Sequence, residues 1–323
     1  MKDCPLSHFF VLLVFVAEYF ANGTGFIIPS DRSTKRSGNK LKQAKQMSFS
    51  VSEDTSESLT THLVDGVVCR EIQIDISVVG LVTVLEATAE SQETLVDMAL
   101  VMEDDDEDNN DLYVENKLAA GDPYGAVLWP AASVVANYIL TSKTIQNFQE
   151  LSILELGTGT GLVAISAKLG DAKNVLATDY EPFALKLTKY AAKHFHGLSL
   201  DTMLLDLCNY DTKLPKCDLV VAADIMYEPR TGTAMAHRAV EALKQGSRVI
   251  VGDSPGRAGR PAFMKTLLEL GVSPEAKFVD TIGHTCTGHR HELICGKGST
   301  SASETPQTLA MAIIDLNPSM LLN

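Results

Sequence analysis

The chain of 323 residues is 45% hydrophobic, 21% charged and 6% aromatic, which suits one substantial buried core and excludes a disordered chain. Its formal charge of −14 argues against a broad electrostatic grip on nucleic acid, because a phosphate backbone is held by a basic surface. The six cysteines (Cys4, Cys69, Cys208, Cys217, Cys286 and Cys295) form no CxxC pair and read as mostly reduced thiols.

The first 46 residues read as an address. Lys2 precedes an apolar run from Phe9 to Val16, too short to span a bilayer as a helix, and small residues follow at Ala21, Gly23 and Gly25. Residues 1–25 are thus expected to be a signal peptide, with no stable membrane insertion after its removal. Residues 26–46 carry Arg32, Lys35, Arg36, Lys40, Lys42 and Lys45 against Asp31 and are rich in Ser and Thr, the composition of a transit peptide. The signal followed by Phe26 and this basic stretch resembles the two-part plastid presequence of diatoms and related algae. Plastid delivery is the expected localisation, and the secretory pathway is the alternative. Without residues 1–46 the chain keeps 20 basic and 38 acidic residues, a charge of −18.

Residues 47–111 read as linker and a small β extension. The stretch 47–60 is Ser-rich. Ile72, Ile74 and Ile76 share one face, and GLVTVLEA (80–87) forms a second apolar run, which predicts a β-hairpin. The acidic run EDDDED (103–108) reads as a solvated loop.

After Pro130 strands and helices alternate. The spacing predicts a helix over 131–141, a buried strand LSILEL, a Gly-rich turn and the helix LVAISAKLG. The strand NVLATD and a helix opening at Pro182 follow, then the strands TMLLD, CDLVVAAD and SRVIVGD, with helices near 231–244 and 261–270. Continuous apolar strands of this kind fit a parallel sheet covered on both faces. The last pair, 277–285 and 291–297 about Thr287-Gly288, reads as an antiparallel hairpin. Residues 298–323 read as a tail with a weak apolar stretch at Leu309–Leu316. His284, Cys286, His289, His291 and Cys295 match no zinc spacing and read as turn residues rather than metal ligands.

The segment Glu155-Leu156-Gly157-Thr158-Gly159-Thr160-Gly161 lies between a buried strand and a helix. Its glycines permit a sharp turn and a close approach of backbone to ligand. Dinucleotide enzymes use such turns too, but three features favour another nucleotide-type cofactor: the GxGxG spacing, Glu155 ahead of the first glycine, and Asp179 at the end of the next strand, where a carboxylate accepts ribose hydroxyls.

Together, DPYGAVLWPAA (Asp122–Ala132), ELGTGTGL, TDYEP and DLVVAADIMYEP resemble methyltransferase family 16. These are seven-strand protein methyltransferases that include many lysine methyltransferases. VGDSPGRAGRPA (251–262) is most similar to members of the electron-transfer-flavoprotein β-subunit type. The resemblance covers residues 112–297. It implies an α/β fold, a Rossmann-like seven-stranded methyltransferase sheet with its last strand antiparallel, extended here by the N-terminal β-hairpin. It also implies S-adenosyl-L-methionine as cofactor and a protein substrate, methylated on a lysine side chain. By position, Trp129 would close over the cofactor. Glu155, Gly157, Thr158, Gly159 and Gly161 would form its loop, with 157–159 lining the methionine moiety. Asp179 would hold the ribose, Asp206 and Leu207 would flank the adenine, and Ala223 would stand beside the reaction centre. Asp224 and Tyr227 match the family's D-x-x-Y signature, with Asp224 aligning or deprotonating the amine and Tyr227 forming one wall. Leu207 departs from the Trp that many members carry there, which removes an aromatic shelf for adenine. No Asn/Asp-Pro-Pro-Tyr tetrad, the mark of adenine or glutamine methylation, follows the fourth strand, which reads Asp224-Ile225-Met226-Tyr227. The alternatives are a small-molecule amine methyltransferase and a non-catalytic interaction module of the same fold. The sequence names neither the acceptor nor the oligomeric state.

Overall fold

A computed structural model describes residues 60–92, 94–95, 123–286 and 307–322. Two compact units divide the chain. One is Phe49–Thr285 with Thr308–Asn323; of the other, Met1–Ser48 with Cys286–Gln307, only Cys286 and Gln307 are described, each as the end residue of a strand. The presequence, the acidic run, the strand expected at 291–297 and most of the His/Cys cluster lie outside the described residues. Among the described residues no helix is long and apolar enough to cross a membrane.

The expected hairpin is part of a three-stranded antiparallel sheet of β1 (Thr61–Val64), β2 (Val67–Ile76) and β3 (Gly80–Ala87). Asp65 and Gly66 both take positive φ, 49° and 84°, the conformation a two-residue hairpin turn demands, and so add β1 to the pair. Ile72, Ile74, Ile76, Val82 and Val84 pack into the main core, while Leu85 and Ala87 pack on Phe183 and Leu187. β3 is therefore covered on both faces, which accounts for its unbroken apolar run.

The large sheet holds β4 (Ser152–Leu156), β5 (Asn174–Asp179), β6 (Asp201–Leu204), β7 (Leu219–Ala223), β8 (Arg248–Asp253), β9 (Val279–Cys286) and β10 (Gln307–Leu316), in the order β6-β5-β4-β7-β8-β10-β9. β4 pairs in parallel with β5 and β7, which makes the gap between β4 and β7 the point where strand order reverses. Among the described residues, helices α1 (Pro130–Thr141), α2 (Leu162–Leu169) and α3 (Pro182–His196) cover one core face of the sheet, and α4 (Pro229–Lys244) and α5 (Arg260–Glu269) the other. Proline opens α1, α3 and α4, where its missing N–H costs nothing, and Gly197 at φ 64° ends α3.

One expectation is corrected. Residues 307–316 of the supposed tail form the strand β10, antiparallel to β8 and lying between β8 and β9, with Ile314 opposite Val251. The apolar stretch looked weak because Ala310 and Asp315 interrupt it; Asp315 is paired with Arg248 and Tyr138, and Met311, Ile313, Ile314 and Leu316 are buried.

Candidate active site

The site forms where the C-terminal ends of β4, β5, β6 and β7 meet their loops. After Leu156 the backbone turns through Gly157, Gly159 and Gly161, all with positive φ. Glu155 is buried beneath this turn, and its Oε2 accepts from Thr158 Oγ1 at 2.7 Å and Ala164 N at 3.1 Å. Burial pushes the Glu155 carboxyl up to about 8. Glu155 and the Thr158 hydroxyl thus brace the cofactor loop from inside. Gly161 serves packing: a Cβ there would lie 2.6 Å from the Thr188 side chain on α3. Gly157 and Gly159 are half-exposed and present bare backbone at the sheet edge.

One strand over, Asp179 ends β5. Its Oδ2 accepts from Gly159 N at 2.9 Å and its Oδ1 from Glu181 N at 3.0 Å, which fixes the carboxylate against the glycine loop. Beyond β6, Asp206 is exposed and Leu207 half-buried. Their loop is shaped by a residue the sequence reading missed. Arg238 of α4 is wholly buried, and its guanidinium donates to the carbonyls of Asp206, Leu207, Asn209 and Thr212 and to Glu241. Tyr180, next to Asp179, is 43% exposed and stands on the same edge.

On the other side of β4, Ala223 ends β7 half-exposed and Asp224 follows in the left-handed region at φ 57°, buried to 5%. Asp224 Oδ2 accepts from Ala131 N at 2.9 Å and Ser254 Oγ at 2.7 Å; Oδ1 accepts from Ser254 N at 2.8 Å and Arg257 Nε at 3.0 Å. Four donors fill a carboxylate's roughly four acceptor positions. Asp224, expected to align or deprotonate the amine, is held in this way by the protein's own donors. It caps the first turn of α1 and ties the loop after β8 to β7. Arg257, also missed, completes the group: its guanidinium carbon lies 4.7 Å from the Trp129 ring centre. Trp129 Nε1 donates to Tyr124 O at 3.0 Å, and Glu86 of β3 accepts from Leu128 N at 3.1 Å. Only the quoted segment VGDSPGRAGRPA hinted at Arg257; an arginine's partner across 33 residues is not legible in spacing. Tyr227 is half-buried just ahead of α4.

The residues brought together fit the cofactor that the fold implies. Bare glycine backbone, a carboxylate and a second carboxylate occupy the ends of β4, β5 and β6, adjacent strands about 4.8 Å apart. An S-adenosylmethionine there would lay its amino acid, ribose and adenine along that series, with the D-x-x-Y segment across β4 at the amino-acid end. Sheet order, antiparallel β10 and this loop define a class I methyltransferase fold, whose methyl donor is S-adenosylmethionine. The chain belongs to the lysine methyltransferase family, whose model matches residues 106–269.

Similar proteins include the electron transfer flavoprotein beta subunit lysine methyltransferase of Rattus norvegicus, 32% identical over 145 residues, 44% of this chain and 53% of that protein. The human protein of that name is 28% identical over 174 residues, 54% of this chain and 56% of its own. The protein-lysine methyltransferase METTL21E of Bos taurus is 34% identical over 122 residues, 33% of this chain and 40% of its own. The chain thus spans about half the length of the curated relatives it matches.

Proposed function

We propose that this protein is an S-adenosylmethionine-dependent N-methyltransferase that methylates a lysine side chain in a protein substrate. The observation that carries the reading is the placement of Asp224–Tyr227 at the end of β7, beside the glycine loop of β4, within the matched family region. The names of the relatives, protein-lysine methyltransferases, support the acceptor class.

When bound, S-adenosylmethionine supplies a sulfonium methyl group that a neutral amine takes in line, with loss of one proton to water and release of S-adenosylhomocysteine. The chain's own residues do the positioning. Gly157 and Gly159 bring backbone against the amino-acid end, Asp179 orients the ribose, Asp206 and Leu207 border the adenine, and Trp129 covers the donor. Asp224 acts through the frame it builds. Tyr227 and Ala223 wall the entrance, where loss of water disfavours the ammonium form of the incoming lysine.

The test is label transfer from methyl-labelled S-adenosylmethionine to an organelle protein extract by the purified chain. A labelled band that resists nuclease, yields to protease and gives methyl-lysine on hydrolysis supports the reading. Label confined to small molecules would instead mark a small-molecule enzyme. Cofactor binding without any transfer would mark an interaction module.

We also propose plastid delivery through residues 1–46, on their composition alone. A fluorescent fusion of residues 1–50 that accumulates in the plastid of a diatom supports it, and secretion overturns it.

A further inference from the structure

Arg257 is the residue that touches both Asp224 and Trp129, and its position has an electrostatic consequence. Asp224 is a buried carboxylate with its side chain wholly covered, at the edge where the methyltransferase reading brings the acceptor amine. Alone it would attract the ammonium form of a lysine, and an ammonium has no lone pair to give to a methyl group. Arg257, 16% exposed, sets a permanent positive charge 3.0 Å from Asp224 Oδ1 and holds its guanidinium carbon 4.7 Å from the Trp129 ring centre. The pair is neutral as a unit.

The next carboxylate along the sheet edge also has an arginine partner. Asp253, at the end of β8, is paired through Oδ2 with Nε of Arg260 at the head of α5, at 2.9 Å. Tyr227 is the other titratable group on the D-x-x-Y segment, and α1, which Asp224 caps, presents none in its first two turns. The Arg257 side chain is held in place by its backbone. Gly259 N donates to Met226 O at 3.0 Å, and Gly259 packs on Gly232 of α4 so closely that a Cβ on Gly232 would lie 2.1 Å from Gly259 O. The loop bearing the cation is thereby fixed to the segment bearing the carboxylate.

We propose that Arg257 is a positioning residue that neutralises Asp224, so that the site admits the acceptor amine in its uncharged, reactive form. This rests on the methyltransferase reading above, because it places the amine beside Asp224.

The probe is n-butylamine, the lysine side chain without its backbone, titrated calorimetrically into the full chain saturated with S-adenosylhomocysteine between pH 8 and 9.5. Asp253 and Glu155, pushed up by burial to about 7 and about 8, titrate toward the acid end of that range in wild type and variants alike, so the readout is the difference between their slopes. A site that takes only the neutral amine gains about tenfold in apparent affinity per pH unit, following the fraction of free base. The wild-type chain is expected to show that slope. Arg257→Gln, which leaves Asp224 unbalanced, is expected to bind the ammonium form as well and to lose most of the slope. The double variant Asp224→Asn, Arg257→Gln, which removes both charges, is expected to restore it, an outcome that a merely structural role would not give.

Equal slopes in wild type and Arg257→Gln overturn the inference while leaving the methyltransferase reading intact. Failure of the wild type to bind S-adenosylhomocysteine overturns the methyltransferase reading itself. Binding of that product without any butylamine binding removes the amine site from Asp224, and with it the inference. Should Arg257→Gln fail to hold S-adenosylhomocysteine, Arg257→Lys decides: it keeps the charge and loses the guanidinium group, so a flattened slope there overturns the inference. The chain's one tryptophan, Trp129, reports product binding in each variant through its fluorescence.

Discussion

Ile225 packs its Cγ2 onto the bare Cα of Gly157, so tightly that a Cβ at position 157 would lie 2.6 Å from it. This contact joins the first residue of the glycine turn to the residue after Asp224, and so links the donor side of the site to the acceptor side. Gly157 also holds φ at +70°, where a side chain is strained. We expect Gly157→Ala to cost about 2–3 kcal/mol of stability and to weaken S-adenosylhomocysteine binding at least tenfold. Adding Ile225→Ala should recover the steric part but not the backbone part. Chemical denaturation of the two single variants and the double gives the coupling, and strict additivity would show the contact to be unimportant.

Gly259 meets backbone rather than a side chain. A Cβ there would lie 2.3 Å from Glu228 O and 2.7 Å from Met226 O, and neither can move without unwinding the start of α4. Gly259→Ala should therefore destabilise by about 3 kcal/mol or more. Unlike Gly157→Ala, no small substitution at a neighbouring side chain should rescue it. A thermal midpoint within a degree of wild type would contradict this close approach.

Stability should fall as pH rises. The Glu155 carboxyl is pushed up from its ordinary 4.5 to about 8 and that of Asp253 from 3.8 to about 7, in both cases chiefly by burial. Between the unfolded and folded values the folded chain holds more protons than the unfolded one, so each group stabilises at the acid end of its window and loses that contribution as pH climbs through it. The slope is at most about 1.4 kcal/mol per pH unit for each group. Glu155→Gln keeps an oxygen for both Thr158 and Ala164, since both donate to Oε2. It should flatten the fall between pH 5 and 8 in urea titrations. A stability curve that rises over that range would refute the assignment.

Glu86 ties the N-terminal sheet to the segment leading into Trp129, accepting from Leu128 N at 3.1 Å while Arg70 donates to its Oε1. Glu86 is 2% exposed, and its removal strands both a buried amide and a guanidinium. We expect Glu86→Ala to cost about 3 kcal/mol and to shift the emission of Trp129, while Glu86→Gln should lose less. An unchanged emission maximum in Glu86→Ala would show that the sheet does not set the tryptophan's position.

Much of the architecture was legible because it is local. Apolar runs bounded by polar turns mark β4, β5, β7 and β8, prolines mark the starts of three helices, and the glycine turn with Asp179 marks a nucleotide-type cofactor edge. Each of those signals arises from residues within a few positions of one another, where periodicity and backbone preference act directly. The expected function rested on the same segments, read jointly, and the family match covers them.

What lay beyond the sequence is what distance along the chain conceals. The last antiparallel strand could not be chosen from its own weak pattern, because Asp315 is tolerated in β10 only through Arg248 and Tyr138, 67 and 177 residues away. The motif singles out Asp224, but the donors that hold its carboxylate, from Ala131, Ser254 and Arg257, converge on it from two other elements. Composition and spacing name the groups a site contains; which lone pair is already taken depends on the packing that brings distant donors within about 3 Å.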